Sequence, residues 1–171
     1  MVHIYCGDGK GKTTAAMGLA LRCAGSGRRA LVLQFLKDGS SSELAPLSRT
    51  EGAEVVPQTR AFGFTWTLSP EEREEAGIYY SGLLEKTWEK AAAGGYGLLV
   101  LDEALGACAA GLIDEGRLLA LLDSAPEGLE VVLTGRGPSQ ALLDRADYVT
   151  EMRKIKHPFD RGVAARRGVE Y

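Results

Sequence analysis

Gly7-Asp8-Gly9-Lys10-Gly11-Lys12-Thr13-Thr14 follows a short apolar segment, Val2-His3-Ile4-Tyr5-Cys6, and precedes a stretch with Ala16, Leu19, Ala20 and Cys23 at helical spacing. Strand, glycine-rich turn and helix in that order build a phosphate-binding loop. Glycines let several backbone N–H groups turn onto one anion, and the helix N-terminus adds about half a positive charge. Lys12 adds a full one, and Thr13 is placed to offer its hydroxyl to a magnesium ion bridging the phosphates. The strict pattern has glycine at position 6, where this chain carries Cys6, so that the first glycine comes one residue late, at Gly7.

Outward from the loop, strand-like and helix-like stretches alternate to the end of the chain, the pattern of a parallel sheet covered by helices. The first helix is expected over about 12–24, stopped by Gly25-Ser26-Gly27. Ala30 to Phe35 reads as a strand buried on both faces, and Glu54-Val55-Val56 as a shorter one. Ser69-Pro70-Glu71-Glu72 opens a long helix with a capping box and proline at its first position; it runs to about Ala93, before Gly94-Gly95. Leu98 to Leu101, Leu129 to Thr134 and Tyr148 to Met152 read as further strands, with helices near 115–123 and 138–143. No repeat, low-complexity tract or linker interrupts this order, so 171 residues are expected to form one domain.

Leu98-Leu99-Val100-Leu101 ends in Asp102-Glu103. Carboxylates at the C-terminal end of a parallel strand point into the crevice where ligands bind, and can hold magnesium directly or through water. Acidic residues also end strands simply because strands end at water. Phe62-Gly63-Phe64-Thr65-Trp66 puts three aromatics into a predicted loop. They either tuck the loop onto the core or form an apolar platform for a large flat ligand.

A net charge of -3 argues against broad nucleic-acid binding, and no apolar run approaches the ~20 residues of a membrane span. Cys6, Cys23 and Cys108 are odd in number and far apart, which suits a reducing compartment and offers no zinc pair. With no signal peptide ahead of Val2, the expected location is the cytoplasm.

The chain resembles the P-loop ATP:corrinoid adenosyltransferases, also called cob(I)alamin adenosyltransferases, nearly end to end. The resemblance rests on the late-glycine phosphate loop through Ala16, on Val32-Leu33-Gln34-Phe35 with Lys37, and on Gly63-Phe64-Thr65-Trp66. It continues in Val100 to Glu103, Thr134-Gly135-Arg136-Gly137, and the tail from Lys156-His157-Pro158-Phe159-Asp160 to Gly168-Val169-Glu170-Tyr171. It implies a P-loop NTPase (RecA-like) three-layer α/β fold with a mostly parallel central sheet flanked by helices. It also implies transfer of the 5′-deoxyadenosyl group of ATP to cobalt(I) of a corrinoid, with release of inorganic triphosphate.

On that resemblance Gly7, Asp8, Gly9, Lys10, Gly11, Lys12, Thr13 and Thr14, with Arg136, are expected to hold the nucleotide. Thr13, Asp102 and Glu103 are expected to hold Mg2+ (or Mn2+). Lys12, Phe64 and Trp66 are cast as catalytic, the two aromatics by pushing the lower axial ligand off cobalt(II) so that it can be reduced. A flavoprotein electron donor and a homodimer are implied as well. Rather than cobalt ligands, His3 is read as a strand-end residue and His157 as part of a structural turn or a polar contact at the site. The basic tail (Arg153, Lys154, Lys156, Arg161, Arg166 and Arg167) is read as solvated surface. Relatives carry an N-terminal extension that can fold over the site; with the first strand at Val2, closure is expected from the loop around Ser40 to Glu43. Two other readings stay open. One is a P-loop kinase or NTPase acting on the γ-phosphate, the other a nucleotide-dependent binding protein without catalysis.

Overall fold

The computed structural model describes residues 1–37, 39 and 41–170; Asp38, Ser40 and Tyr171 lie outside the described residues. Six strands form one sheet: β1 (Val2–Cys6), β2 (Ala30–Gln34), β3 (Ala53–Val55), β4 (Leu98–Asp102), β5 (Glu130–Thr134) and β6 (Tyr148–Glu151). Their order is β3-β2-β4-β5-β1-β6, and every pairing is parallel. The expected sheet was mostly parallel; the observed one is wholly so.

Alternation along the strands sorts the side chains into two layers of core. Val2, Ile4, Leu31, Leu33, Leu99 and Leu101 face one way, against α3 (Pro70–Ala93), α4 (Ala104–Ala109), α5 (Glu115–Asp123) and α6 (Gln140–Arg145). Val32, Leu98, Val100 and Val132 face the other, against α1 (Lys12–Gly25) and α2 (Leu44–Leu47). β2 and β4 are therefore buried along their whole length, which accounts for their nearly continuous apolar sequence. On α1 the inward positions are Ala16, Ala20 and Cys23, as the spacing predicts, with Met17 added. Leu19 is only partly covered.

The long helix α3 begins as its sequence dictates. Ser69 Oγ accepts from the Glu72 backbone N–H at 3.1 Å, and the Ser69 N–H donates to Glu72 Oε2 at 2.8 Å, with Pro70 in the first turn. Three short elements escaped the sequence reading: α2, α4 and a 3-10 turn at Pro158–Arg161. Each is too brief to show a helical period.

The topology sets the site. β1 lies between β5 and β6, and one strand, β5, separates it from the acidic end of β4. The phosphate loop, Asp102-Glu103 and Thr134-Gly135-Arg136 thus leave the sheet along the same edge. Among the described residues, no helix is long and apolar enough to cross a membrane.

Removing the cap oxygen in Ser69→Ala is expected to lower the unfolding free energy by about 1 kcal/mol. Urea denaturation should show a shifted midpoint with an unchanged slope.

Candidate active site

The phosphate loop is held in shape from behind by the end of β6. Gly9 N–H donates to the Met152 carbonyl at 2.6 Å, and Met152 N–H to the Cys6 carbonyl at 2.8 Å. A Cβ added at either Gly7 or Gly9 would lie 2.5 Å from the Met152 carbonyl oxygen. Only glycine fits so close to a backbone, and the late first glycine stands where Met152 presses. Gly7 therefore supports the loop rather than lining the cavity in front of it.

In front, the loop opens on a cavity of about 1260 Å³ lined by Asp8 to Thr14, with Lys37, Glu103 and Arg136. Gly11, left-handed at φ 111°, turns the chain into α1, whose N-terminus has no side-chain cap and no acidic residue in its first turn. The first N–H groups of α1 and its positive dipole end are thus kept for an external anion. Lys12 is only 8% exposed and donates from Nζ to the Gly9 carbonyl at 2.8 Å. Burial, then the nearby Arg136 guanidinium, pulls its pKa below the usual lysine value. A phosphate arriving here would relieve both effects.

Asp102 is fully buried and met by donors from four sides. Thr134 Oγ1 donates to Oδ1 at 2.6 Å. Gln34 Nε2 donates to Oδ2 at 2.8 Å, Thr13 Oγ1 at 3.2 Å and Lys37 Nζ at 3.3 Å. Ser41 Oγ donates to Gln34 Oε1 at 2.9 Å, fixing which way that amide faces. Glu103, with φ 61°, is left-handed, its N–H bonded to Thr134 Oγ1 at 2.9 Å. That turn aims its side chain into the cavity, whereas Asp102 stays behind Thr13 and Lys37. Burial first, and the Asp102 charge second, raise the Glu103 pKa above the ordinary carboxylate value. Among the described residues, Leu36, at the end of β2, is the other non-glycine residue with positive φ, at 58°, so that the two fall at adjacent strand ends. A hydroxyl and two carboxylates are hard oxygen donors that suit magnesium, which takes one or two carboxylates and completes its shell with phosphates and water.

The aromatic loop divides between the two readings of it. Phe62 is tucked, its ring against Tyr79 and Tyr80 with Arg60 over its face. Phe64 and Trp66 are 65% and 76% exposed and stack on each other at 4.6 Å and 12°. Arg73 of α3 pins the loop, donating to the carbonyls of Thr65 at 2.9 Å and Ala110 at 2.7 Å. Phe64 lines the cavity; Trp66 stands outside it, behind Phe64.

Arg136 is exposed on the cavity wall. The tail runs along the mouth, with His157 and Gly168 to Glu170 in the wall. It is tied to the phosphate loop where Lys154 N–H donates to Asp8 Oδ1 at 3.0 Å. His157 Nδ1 accepts from Phe159 N–H at 3.2 Å, the structural turn expected of it. His3 stacks on Tyr148 and bonds Glu130 at 2.9 Å, among the residues of a separate cavity. Ser41 to Glu43, from the segment expected to close the site, line the main cavity, while Ser40 lies outside the described residues.

The sequence reading passed over Gln34 and Thr134 and gave Lys37 no role. The parallel register Leu101↔Leu133 and Gln34↔Asp102 is what brings them together, and aligning strand ends could have found two of the three.

A model of the family described as ATP:corrinoid adenosyltransferase BtuR/CobO/CobP matches residues 1–171. The chain belongs to that family. The corrinoid adenosyltransferase of Pseudomonas aeruginosa is 35% identical over 172 residues, 98% of this chain and 82% of its own. The corrinoid adenosyltransferase CobA of Salmonella typhimurium is 34% identical over 171 residues, 100% of this chain and 85% of its own. The cytoplasmic domain of the type VII secretion ATPase EccC of Thermomonospora curvata superposes with a TM-score of 0.50 at 19% identity. That match takes in 95% of this chain and 21% of EccC, and shows a P-loop ATPase fold alone. The reaction of this family member is adenosyl transfer from ATP to a corrinoid, in the making or salvage of cobalamin.

The raised Glu103 pKa fixes the sign of a pH effect. A carboxyl held above its unfolded value favours the fold while protonated, and that contribution is lost as pH rises through the folded pKa. In nucleotide-free protein, Glu103→Gln is therefore expected to gain stability relative to the parent as pH goes from about 4 to about 8. Thermal melts across that range check it; a variant that loses stability relative to the parent as pH rises would contradict it.

Proposed function

We propose that the whole chain acts as one adenosyltransferase domain in which the phosphate loop holds the leaving group and the reacting carbon is C5′ of ATP. The uncapped N-terminus of α1, facing a cavity with Lys12, Lys10 and Arg136 around it, carries this reading. Cobalt(I) is itself the nucleophile, so the protein need supply none. Its work is to aim C5′ at the cobalt and to stabilise the departing triphosphate.

As the C5′–O5′ bond breaks, negative charge grows on the triphosphate. The loop N–H groups of Lys10 to Thr14 and the Lys12 ammonium are positioned to take it up. Lys12 then exchanges its bond to the Gly9 carbonyl for one to phosphate oxygen. Thr13, Asp102 and Glu103 would hold Mg2+ (or Mn2+), which when bound would neutralise the phosphate oxygens. Asp8 keeps the tail against the loop through Lys154, and Arg136 closes the phosphate side of the cavity.

Phe64 and Trp66 form the face toward the corrin. An axial donor raises the cobalt orbital that must accept an electron, so a dry aromatic surface that offers no donor favours reduction of cobalt(II). Phe62 and Arg73 keep the pair projecting rather than collapsed onto the core. A flavoprotein electron donor and a homodimer, which rest on the family alone, and a cytoplasmic location, which rests on cysteine usage, complete the reading.

Trp66→Ala is expected to reduce turnover at least about tenfold when cobalt(II) must be reduced on the enzyme, and to spare most of it when chemically generated cobalt(I) is supplied. Anaerobic assays that follow adenosylcobalamin in the visible spectrum separate the two. Equal losses in both would remove the aromatic pair from this role.

A further inference from the structure

Lys37 Nζ lies 3.3 Å from Asp102 Oδ2 and 3.4 Å from Thr13 Oγ1. Those two oxygens are 3.2 Å apart. Two ligands at right angles around magnesium, each 2.0–2.1 Å from the ion, stand about 2.9 Å from one another. The Thr13–Asp102 pair is therefore already spaced as one edge of such a shell, and the ammonium of Lys37 is seated on that edge. An ammonium and a divalent ion cannot share it.

The seating is built into the backbone. Leu36 adopts φ 58°, unfavourable for a branched side chain, and this turn at the end of β2 delivers Lys37 across to the end of β4. Lys37 is about one-third exposed, whereas Asp102 is sealed. The lysine can leave toward the cavity it lines and the carboxylate cannot follow. Thr134 and Gln34 keep Asp102 fixed whichever cation faces it.

We propose that Lys37 is an exchangeable counter-ion at the metal position. It neutralises Asp102 until the divalent cation arrives with the nucleotide, then moves onto the polyphosphate. This inference rests on the assignment of Thr13, Asp102 and Glu103 to the metal. The exchange couples the two ligands: metal without polyphosphate must evict Lys37 with no phosphate to meet its ammonium, whereas metal with polyphosphate gives the ammonium a new partner. The protein thereby disfavours the bare ion and favours the metal–triphosphate unit that the reaction must hold.

The test is binding of Mn2+, followed by its electron paramagnetic resonance signal, to nucleotide-free full-length protein. Lys37→Met keeps most of the reach of the unbranched side chain and removes its charge. Freed of the tethered competitor, Lys37→Met is expected to bind Mn2+ at least about tenfold more tightly than the parent. It is also expected to bind inorganic triphosphate in the presence of Mg2+ about tenfold more weakly, by calorimetry. Equal or weaker Mn2+ binding by Lys37→Met overturns the exchange, as does unchanged triphosphate affinity. Glu103→Gln separates the two levels of the argument. If it loses Mn2+ binding while Lys37→Met matches the parent, the exchange alone fails; if it binds Mn2+ as the parent does, the metal assignment itself fails. Recovery of the Lys37→Met melting temperature on adding Mn2+ shows that the variant is folded, and no such recovery counts against the exchange.

Discussion

A carboxylate with no access to water has to be met by donors, and Asp102 is met by donors from β2, β5, the first turn of α1 and the segment after β2. Leaving such a group short of a partner costs several kcal/mol. The requirement therefore ties the ends of three adjacent strands to the start of the helix that follows the phosphate loop. It fixes Thr13 in front of the acidic strand end and, through Thr134, sets the left-handed turn that points Glu103 into the cavity. The loop is pressed into register from the opposite side, where the Met152 backbone tolerates only glycine at positions 7 and 9. Between these two constraints little in the phosphate site is free to move.

This rigidity has a chemical use. Adenosyl transfer asks the protein for no nucleophile and no proton at the reacting carbon, only for aim and for a charged cradle that is formed beforehand. An uncapped helix start, a lysine whose charge is disfavoured until a phosphate arrives, and a glutamate whose ionised form is disfavoured until a cation arrives are each destabilised alone. A phosphate at the loop and a cation beside the carboxylates would relieve all three. The aromatic pair has the opposite character. Phe64 and Trp66 stand in solvent, and among the described residues they make no hydrogen bond to the rest of the site. That suits a surface meant to meet a large apolar partner.

Much of this was legible before any coordinates. Alternating apolar runs gave the order of strands and helices, because both faces of a parallel sheet are buried and leave strong periodic signals. Ser69 to Glu72 marked the start of α3 to the residue. The late glycine at Gly7 departs from the general pattern and already carries the family resemblance; the close approach of the Met152 backbone is its physical reason. The short helix α4 could not be read because six residues are too few to show a helical period, and the role of Lys37 because it depends on where neighbouring strands end relative to one another. That is a property of register, and no local stretch of sequence encodes it. The split of the aromatic loop into a buried Phe62 and an exposed Phe64–Trp66 pair was likewise invisible, since three aromatics in five residues look the same from either side.

The central claim is that the bond broken lies between C5′ and O5′ and that the phosphate loop keeps the whole triphosphate. ATP carrying a heavy-oxygen label at the O5′ bridge, incubated anaerobically with magnesium and reduced cobalamin, tests it directly by mass spectrometry of the products. The account predicts intact triphosphate with all of the label, in equal amount to adenosylcobalamin. ADP as the nucleotide product, or label retained on the nucleoside, would contradict it.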